Sequence, residues 1–300
     1  MIRNLNELLQ PPVHRRPRTV AVAAAEEVHL LKALQEAVKT VGITPLLIGN
    51  EAVIRQMAQS IDFDLSHITI VDNREGGPLS ARRAVEKVKN GEADIIMKGF
   101  VNTSDFLKEV LDRESGLRTD AMMSHVTFFQ SPFYHKILCV TDVAMNIAPD
   151  PEAKAQIIRN AVEACRHLGI ENPRVAVVAA VEKVNPRMEA TVHAVLLKEM
   201  NRDGRLQGCI IDGPFAVDIA VNREAARHKG IGGVVAGDCD IILAPDIEAG
   251  NMFYKALNFL GGAVSAAVVM GASVPVVLTS RADDERSKLL SLALAARMDG

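Results

Sequence analysis

Short apolar runs rich in β-branched residues alternate with amphipathic stretches along almost the whole chain. Continuous apolar runs indicate strands buried on both faces, and the amphipathic stretches between them indicate crossover helices. The pattern therefore predicts an α/β fold with mostly parallel sheets. The predicted strands cover residues 19–23, 45–48, 67–71, 94–97, 127–130, 137–140, 174–179, 208–211, 240–243 and 274–278. The predicted helices cover residues 26–41, 79–89, 104–113, 151–168, 186–200, 218–228 and 251–270.

The longest apolar stretch, 256–277, is interrupted by Asn258, by glycines and serines, and by Pro275. A membrane-spanning helix needs about 20 largely uninterrupted apolar residues, so no span is predicted. The stretch predicts one long helix rich in small residues, followed by a strand. Its apolar character indicates a crowded core or a subunit interface.

Length and composition bound the class of protein. At 300 residues the chain reaches the size at which single cores stop growing, about 250 to 300 residues, so two lobes are expected. A hydrophobic content of 48% with 24% charged residues is ordinary for a soluble globular protein. The net charge of -3 creates no general basic field, so nucleic acid is not an expected partner.

The four cysteines, Cys139, Cys165, Cys209 and Cys239, are far apart and show no C-x-x-C spacing. This spacing argues against a zinc site and against a disulfide framework. Residues 1–18 contain charges and three prolines but no apolar core of a secretory signal. We therefore expect a cytoplasmic protein with no membrane partner.

Polar residues follow directly after predicted strands at five places. In open α/β sheets ligands bind beyond the carboxyl ends of strands, so these residues are the candidates for a site. The five clusters are Lys98-Gly99 with Thr103 or Ser104, Thr141-Asp142 with Asn146, 212–218, Asp246 with Asn251 and Lys255, and Ser280-Arg281.

The first cluster suits an anion. Lys98 and Gly99 leave a strand, and Thr103 or Ser104 is the predicted N-cap of the next helix. A positive charge, close backbone approach and a helix dipole then coincide. The alternative is a surface lysine before an ordinary helix cap.

The last cluster suits a phosphoryl or acyl oxygen. Ser280 and Arg281 leave the last predicted strand and precede a helix whose first turn is acidic. A hydroxyl, a guanidinium and unpaired backbone N–H groups are then expected at one point. The alternative is a capping serine and a surface arginine neutralised by the following acids.

The remaining clusters have simple structural alternatives. Asp212 and Asp218 bracket a Gly-Pro turn, where Asp212 can hold local backbone and Asp218 can begin a helix. Asn251 is the predicted N-cap of the apolar helix. Lys255, one turn later, faces either solvent or a cleft.

Several catalytic signatures are absent from the sequence. There is no Walker motif, no G-x-S-x-G and no H-E-x-x-H, and the Gly230-Ile231-Gly232-Gly233 run does not continue as G-x-G-x-x-G. The eight histidines are scattered, and only His125 lies close to a predicted strand start.

Six segments, taken together and in order, resemble the phosphate acetyltransferase and phosphate butyryltransferase family, most closely its butyryltransferase branch. They are 97–104 (MKGFVNTS), 116–119 (GLRT), 140–149 (VTDVAMNIAP), 212–218 (DGPFAVD), 245–251 (PDIEAGN) and 280–283 (SRAD). The likeness covers nearly the full length. It implies reversible acyl transfer between coenzyme A and inorganic phosphate, with coenzyme A as a substrate, no tightly bound cofactor and no metal.

The resemblance also implies an architecture. It is that of isocitrate and isopropylmalate dehydrogenases, with two α/β lobes, a cleft between them, and homodimers or larger homo-oligomers. In that fold the C-terminal segment returns to the first lobe. The lobes are therefore expected to cover residues 1–138 with 275–300, and residues 139–274.

Carried onto this sequence, the Ser-Arg pair of the family falls on Ser280 and Arg281. The serine is expected to hydrogen-bond the acyl or thioester group, and the arginine to hold phosphate or developing negative charge. Acetyl-transferring relatives have an aspartate seven positions beyond the serine as the proposed base, where this chain has Ser287. The base is then Asp283, Asp284 or a residue of the facing lobe.

Substrate binding is expected from five further residues, namely Lys98, Thr103, Lys108, Asn251 and Lys255. Lys108 stands where acetyl-transferring relatives tend to have an arginine. A lysine still attracts phosphate, but it lacks the bidentate fork of an arginine.

Two other functions compete with acyl transfer. The first is a nicotinamide-dependent decarboxylating dehydrogenase of the same architecture, which would need aspartates around a divalent metal; Asp238 and Asp240 are the weak candidates. The second is an acyl-CoA-binding relative without turnover, suggested by Ser287 and Lys108.

Overall fold

The computed structural model describes residues 1–10, 16–279 and 283–298. The chain divides into two compact units. The terminal unit consists of Asn6–Ala121 and Ala266–Gly300, and the central unit consists of Met1–Leu5 and Met122–Ser265.

The described residues of the terminal unit form six strands, in the order β3-β2-β1-β4-β11-β10. All neighbouring pairs are parallel except β10 with β11, which pair antiparallel with Val269 opposite Val276. The strands are β1 (Thr19–Ala23), β2 (Thr44–Gly49), β3 (Thr69–Asp72), β4 (Ile95–Lys98), β10 (Val264–Met270) and β11 (Val276–Val277). A mostly parallel arrangement is what continuous β-branched runs predict.

The central unit contains five strands in the order β5-β6-β9-β7-β8. The β5 and β6 strands pair antiparallel, and the other neighbours are parallel. The strands are β5 (Ser124–Gln130), β6 (Leu138–Thr141), β7 (Arg174–Val178), β8 (Ile210–Phe215) and β9 (Ile241–Leu243). Phe129, Val140, Phe215 and Ile242 are among the side chains of its hydrophobic core.

Helices connect the strands, as the alternating pattern predicts. The terminal unit has a 3-10 helix (Leu5–Leu9) at its border, α1 (Val28–Thr40), α2 (Glu51–Gln59), α3 (Gly77–Lys89), α4 (Thr103–Val110) and α10 (Glu285–Ala295). The central unit has α5 (Pro151–His167), α6 (Glu189–Arg202), α7 (Val217–Val221), α8 (Arg223–His228) and α9 (Ile247–Phe259). Within the terminal unit α10 packs against α1. No helix in the described ranges is both long and apolar enough to cross a membrane.

The long apolar helix expected over 251–270 is wrong in its second half. The α9 helix begins earlier, ends at Phe259, and is followed by Gly261 and Gly262, the latter in the left-handed region at φ 61°. Two consecutive glycines favour a helix stop. The apolar residues beyond them form β10, whose last six residues are buried.

Two other helix predictions also change. The helix expected over 218–228 is divided at Asn222, whose extended backbone ends α7 while its side chain caps α8 by accepting from Glu224 and Ala225 N–H groups. The α2 helix, Glu51–Gln59, was not predicted.

The bounds of the two units differ from the expected division at residues 138/139 and 274/275. The β5 strand lies in the central unit because it pairs with β6, with Phe128 opposite Cys139. Most of β10 lies in the terminal unit, where it pairs with β11. Antiparallel pairs of neighbouring strands thus stay together in one unit.

Candidate functional site

In the terminal unit, Lys98 ends β4 and is buried, at 4% exposure. Its Nζ donates to the carbonyl oxygens of Gly99 at 3.2 Å and Val101 at 3.3 Å. The side chain of Lys98 is therefore bonded within the turn that follows its own strand. The alternative interpretation, a lysine on the surface before an ordinary helix cap, is wrong. The positive charge of Lys98 lies at the carboxyl edge of β4.

Gly99 is required by close backbone approach. A Cβ at this position would lie 2.2 Å from the carbonyl oxygen of Ala24, and the Gly99 N–H donates to Ala23 O at 2.9 Å. Any side chain would push the β4 turn away from the β1 turn. The glycine is thus explained by the packing of these two turns, and the predicted approach of its backbone to an anion stays a prediction.

The N-cap of α4 is Asn102, so the prediction of Thr103 or Ser104 as the cap is wrong. Thr103 is the first helical residue and is exposed. Lys108 is in the last turn and is also exposed. Both side chains are available to solvent, and their predicted contacts with substrate stay predictions.

Ser280 and Arg281, the central pair of the sequence hypothesis, lie outside the described residues. The chain is described up to Thr279, which is buried at 5% exposure, and again from Asp283. Val277 of β11 is level with Met97 of β4. Lys98, the last residue of β4, and Leu278, the first residue after β11, therefore lie at the same edge of the sheet.

The acids after this segment have different partners. Asp284 is the N-cap of α10, where its side chain accepts from the Ser287 N–H at 2.7 Å. The Asp283 carbonyl oxygen accepts a hydrogen bond from Lys288 Nζ. Ser287, at the position of the base in acetyl-transferring relatives, lies in the first turn of α10. Asp284 is thus committed to the helix start.

In the central unit, Asp142 follows β6 and is buried, at 4% exposure. One carboxylate oxygen accepts from the N–H groups of His125, Ala144 and Met145 at 3.0 to 3.2 Å. The other accepts from the N–H and side-chain amide of Asn146 at 3.1 and 2.6 Å. Five donors on one carboxylate fix the loop after β6, so Asp142 shapes this edge and is not a free ligand or base.

His125 lies within β5 and is buried. Its Nδ1 is 3.1 Å from the Thr127 hydroxyl, and its ring meets Tyr254 edge-on with centroids 6.4 Å apart. The strand start that the sequence predicted at residue 127 is three residues too late.

The α9 helix is capped by Asp246, whose side chain accepts from the Ala249 N–H at 2.8 Å. The prediction of Asn251 as its N-cap is therefore wrong. Asn251 instead donates from Nδ2 to the Val143 carbonyl at 3.1 Å. A Cβ at Gly250 would lie 2.3 Å from the Asp142 carbonyl oxygen, so the glycine lets α9 approach the loop after β6.

Lys255 lies on α9 and is exposed, with its Nζ 6.0 Å from the centre of the Tyr254 ring. The solvent-facing alternative thus describes its position. A cation beside an aromatic ring at this distance is held weakly, which leaves the ammonium available to an anion.

The sequence suggested that a Gly-Pro turn follows Asp212. The structure has no such turn, because β8 continues through Gly213 and Pro214 to Phe215. The Asp212 carboxylate accepts from the Gly213 N–H at 2.9 Å, so it holds local backbone as the structural alternative stated, and it also accepts from Lys198 Nζ at 2.6 Å. Asp218 lies in the first turn of α7, one residue after the Val217 that begins the helix, and its carboxylate is 3.4 Å from Lys229 Nζ.

Lys154 was not among the predicted site residues, and it is buried at 3% exposure on α5. Its Nζ is 2.9 Å from His193 Nδ1, and both residues line a pocket of about 260 Å³ with Asp150, Glu189 and Asp246. Burial lowers the pKa of Lys154 to about 8, against the opposing effect of Asp246. Burial, and then the charge of Lys154, lowers the pKa of His193. The available signal was a lysine on the apolar face of the predicted helix.

Asp238 and Asp240, the weak metal candidates, are paired with cations. Asp238 contacts Arg174 and Arg223, and Asp240 accepts from Lys136 Nζ at 2.5 Å. In the described parts of the chain no group of three or more His, Cys, Asp or Glu side chains is placed to hold a metal ion. These pairings remove the support that the sequence offered for a metal-dependent dehydrogenase.

Comparisons with known proteins point to the same family that the sequence resembles. The family model described as phosphate acetyl/butaryl transferase matches residues 79–296. A phosphate butyryltransferase of Clostridium acetobutylicum is 42% identical over 300 residues, covering 100% of this chain and 99% of that protein. A phosphate acetyltransferase of Thermotoga maritima is 43% identical over 281 residues, covering 93% and 94%. The crystal structure of a branched-chain phosphotransacylase from Enterococcus faecalis aligns with a TM-score of 0.80 at 32% identity, covering 93% of this chain and 98% of that one.

Proposed function

The chain belongs to the phosphate acetyl/butyryl transferase family, and from this premise we propose that it transfers a short acyl group reversibly between coenzyme A and inorganic phosphate. The protein is an acyltransferase, with butyryl-CoA or a similar short-chain acyl-CoA as substrate. The observation that carries this conclusion is the 42% identity to a phosphate butyryltransferase over the entire chain. Identity of this extent covers both units.

In the direction of acyl phosphate synthesis, a phosphate oxygen attacks the thioester carbonyl carbon. A carbon–oxygen bond forms, the carbon–sulfur bond breaks, and coenzyme A leaves as the thiolate, which takes up a proton. The reverse reaction begins when a base removes that proton from the thiol. Holding both substrates in line supplies roughly 7 to 11 kcal/mol of the barrier reduction.

We propose Ser280 as the hydrogen-bond donor to the acyl carbonyl oxygen and Arg281 as the residue that stabilises phosphate and developing negative charge. Support comes from the described residues that flank them. The strand that leads to them is β11, beside β4 and its buried Lys98. A second cation near the pair would strengthen phosphate binding.

Asp283 is the proposed base for the thiol. Of the two acids named for this role, Asp284 is engaged as the cap of α10. Losing that cap would expose backbone N–H groups at the helix start, so Asp284 is poorly suited to exchange protons during each turnover. Ser287 cannot act as a carboxylate base.

Substrate contacts are proposed for the remaining candidates. Thr103, Lys108 and Lys255 are exposed, and the two lysines can attract the phosphates of coenzyme A. Lys98 supplies a buried charge, and Asn251 positions the loop after β6 through the Val143 carbonyl. Coenzyme A is then a substrate and no tightly bound cofactor is required.

The finer architecture also stays a proposal. It includes the isocitrate dehydrogenase type of lobe arrangement with its cleft, homo-oligomers of two or more subunits, and a cytoplasmic location. The division into two lobes, expected at residues 138/139 and 274/275, also stays a proposal. Its proposed bounds are those of the terminal and central units, which follow strand pairing.

The test is Arg281→Ala in an assay of thiol release from butyryl-CoA with inorganic phosphate. Loss of one charge-stabilising donor should lower kcat on the order of 10² to 10³-fold. The control is Arg286→Ala. This variant removes an exposed arginine of α10 that donates to the Asn6 side chain, and it should leave kcat within about twofold of wild type. Retained circular dichroism and Tm would show that both variants fold.

An Arg281→Ala enzyme with full activity would contradict the assigned role. A wild-type protein that binds butyryl-CoA but releases no thiol would support the non-catalytic alternative instead. Acetyl-CoA, butyryl-CoA and a branched acyl-CoA, compared in the same assay, would determine the preferred acyl chain.

A further inference from the structure

A second pocket, of about 590 Å³, lies in the central unit, and its lining includes Arg174, Arg223 and Asp238. Asp238 precedes β9, Arg174 is the first residue of β7, and Lys136 precedes β6. The pocket therefore lies at the amino edge of the parallel strands. Asp142 and Asp246 follow the carboxyl ends of β6 and β9, at the opposite edge.

The pocket carries excess positive charge. Its lining includes three arginines, Arg174, Arg223 and Arg227, and one carboxylate, that of Asp238. Arg174 and Arg223 both contact the same carboxylate, which Lys136 also approaches at 3.1 Å. Lys136 is paired with Asp240, and Asp238 alone cannot neutralise the three arginines, so the pocket retains a net positive charge that favours an anion.

Backbone donors complete the wall. The loop 230–234 lines the pocket, with Gly230 and Gly233 in the left-handed region at φ 69° and 108°. The N–H groups of Gly232, Gly233 and Val234 donate no hydrogen bond within the described residues. Consecutive unpaired N–H groups in a glycine loop bind anions.

Space is available beside this loop. A Cβ added at Gly230 or Gly232 would meet no atom within 4 Å. Ala226, Ile231, Val234 and Ala236 add an apolar lining, and Val234 is 55% exposed. The pocket can therefore accept an organic group attached to the anion.

We propose that Arg174, Arg223, Arg227 and the loop 230–234 form a binding site for an organic phosphate monoester, separate from the reacting site. The three terminal oxygens of a phosphate monoester match guanidinium forks and backbone N–H groups together, which a single carboxylate does less completely. The apolar lining contacts the organic part. The site does not depend on the proposed acyl transfer.

The test follows amide resonances by NMR in protein labelled with ¹⁵N-glycine and ¹⁵N-valine, using phenyl phosphate as the probe. We expect saturable shifts of the Gly232, Gly233 and Val234 amides. Arg227→Gln should weaken binding at least about tenfold, because one charge-assisted contact is lost. The control is Lys229→Gln, which removes an equal charge from a lysine that donates to Glu182. It should change the affinity for phenyl phosphate by less than about threefold.

A second pair of variants keeps the test independent of folding. Val234 is largely exposed, so aspartate and asparagine should both be tolerated there. Val234→Asp should weaken phenyl phosphate binding at least about tenfold by repulsion, and Val234→Asn by less than about threefold. Amides that do not shift, or shifts equal in all variants, would overturn the site.

The phosphate monoester can be a separate metabolite or the 3′-phosphate of coenzyme A. Titrations with coenzyme A and with dephospho-coenzyme A distinguish these sources, because only the former carries that group. The thiol-release assay on the same samples tests the proposed function separately. A protein that fails in that assay but shifts the Gly232 amide would retain the pocket and lose only the acyl transfer.

Discussion

Asp142 and Asp238 are both buried aspartates of the central unit, yet they lie at opposite edges of its parallel strands and have different partners. Asp142 accepts from backbone N–H groups and from the Asn146 side chain. Asp238 is contacted by the charged groups of Arg174 and Arg223. Neutral donors fixed in the chain shape a loop, whereas side-chain cations leave positive charge beside the carboxylate. The partners of a buried carboxylate, more than its burial, decide what it does.

The strongest test of this contrast is Asp142→Ala. The N–H groups that converge on Asp142 would lose their acceptor in a buried loop, and each unsatisfied donor is costly. We expect the free energy of unfolding to fall by at least about 3 kcal/mol, measured by urea denaturation. The loss of the loop after β6 should also abolish thiol release.

The matched control is Asp150→Ala. Asp150 caps α5 by accepting from the Ala153 N–H at 2.8 Å and is exposed. Removing an exposed cap costs about 1 kcal/mol. Equal losses of unfolding free energy in the two variants would mean that the five donors on Asp142 stabilise the fold no more than the single capping bond of Asp150. The contrast drawn for Asp142 would then be wrong.

Lys154 sharpens the comparison, because it is a buried cation at the carboxyl edge that shares its pocket with three carboxylates, those of Asp150, Glu189 and Asp246. Burial lowers its pKa to about 8 from 10.5, so the fold disfavours the charged form. Below pH 8 both folded and unfolded chains hold the proton, and the cost is about 3 kcal/mol. Above pH 10.5 neither holds it, and the cost vanishes.

Lys154→Met should therefore raise the free energy of unfolding at pH 7, with a gain over wild type that shrinks as pH rises from 8 to 10.5. Urea denaturation across this range measures the difference. Lys198→Met replaces an exposed lysine of α6 and should change little at any pH. A gain for Lys154→Met that does not vary with pH would mean that packing, and not charge burial, causes it.

The strands of this fold were predictable because buried parallel strands are continuous β-branched runs. The β1 strand, Thr19–Ala23, was predicted with its observed bounds. The β10 strand was not, because its small residues suit a helix equally well and the Gly261-Gly262 stop was overlooked. Helix caps were harder, since Asp246 and Asn251 are both good capping residues and only the start of α9 distinguishes them.

The candidate site was predictable only in part. The position of Lys98 at the carboxyl end of β4 followed from the order of residues, although Lys98 is the last residue of the strand and not the first one after it. The pairing of Lys154 with His193 joins residues from two helices, which spacing along the chain cannot reveal. The roles of Ser280 and Arg281 came from the family resemblance and fall outside the described residues.

The smallest expected effect is that of Asp238→Asn, at the amino edge. Although burial opposes ionisation, hydrogen bonds from Arg223 and Lys136 hold the pKa of Asp238 well below its ordinary value of 3.8. The stabilisation is therefore complete above that value and is lost as the pH falls below it. Because Arg223 is 73% exposed and water can solvate it, the loss at pH 7 should be only about 2 kcal/mol.

The measurement is urea denaturation of wild type and Asp238→Asn from pH 7 down to pH 2. The difference between them should shrink as the pH falls below 3.8, because the unfolded wild-type chain then takes up a proton at Asp238 while the folded chain, with its lowered pKa, still holds the carboxylate. Asp203→Asn, which removes an exposed partner of Arg202, should show almost no difference at any pH. A loss that exceeds that of Asp142→Ala would reverse the comparison, since cations at an open edge would then hold the fold more strongly than backbone donors in a closed loop.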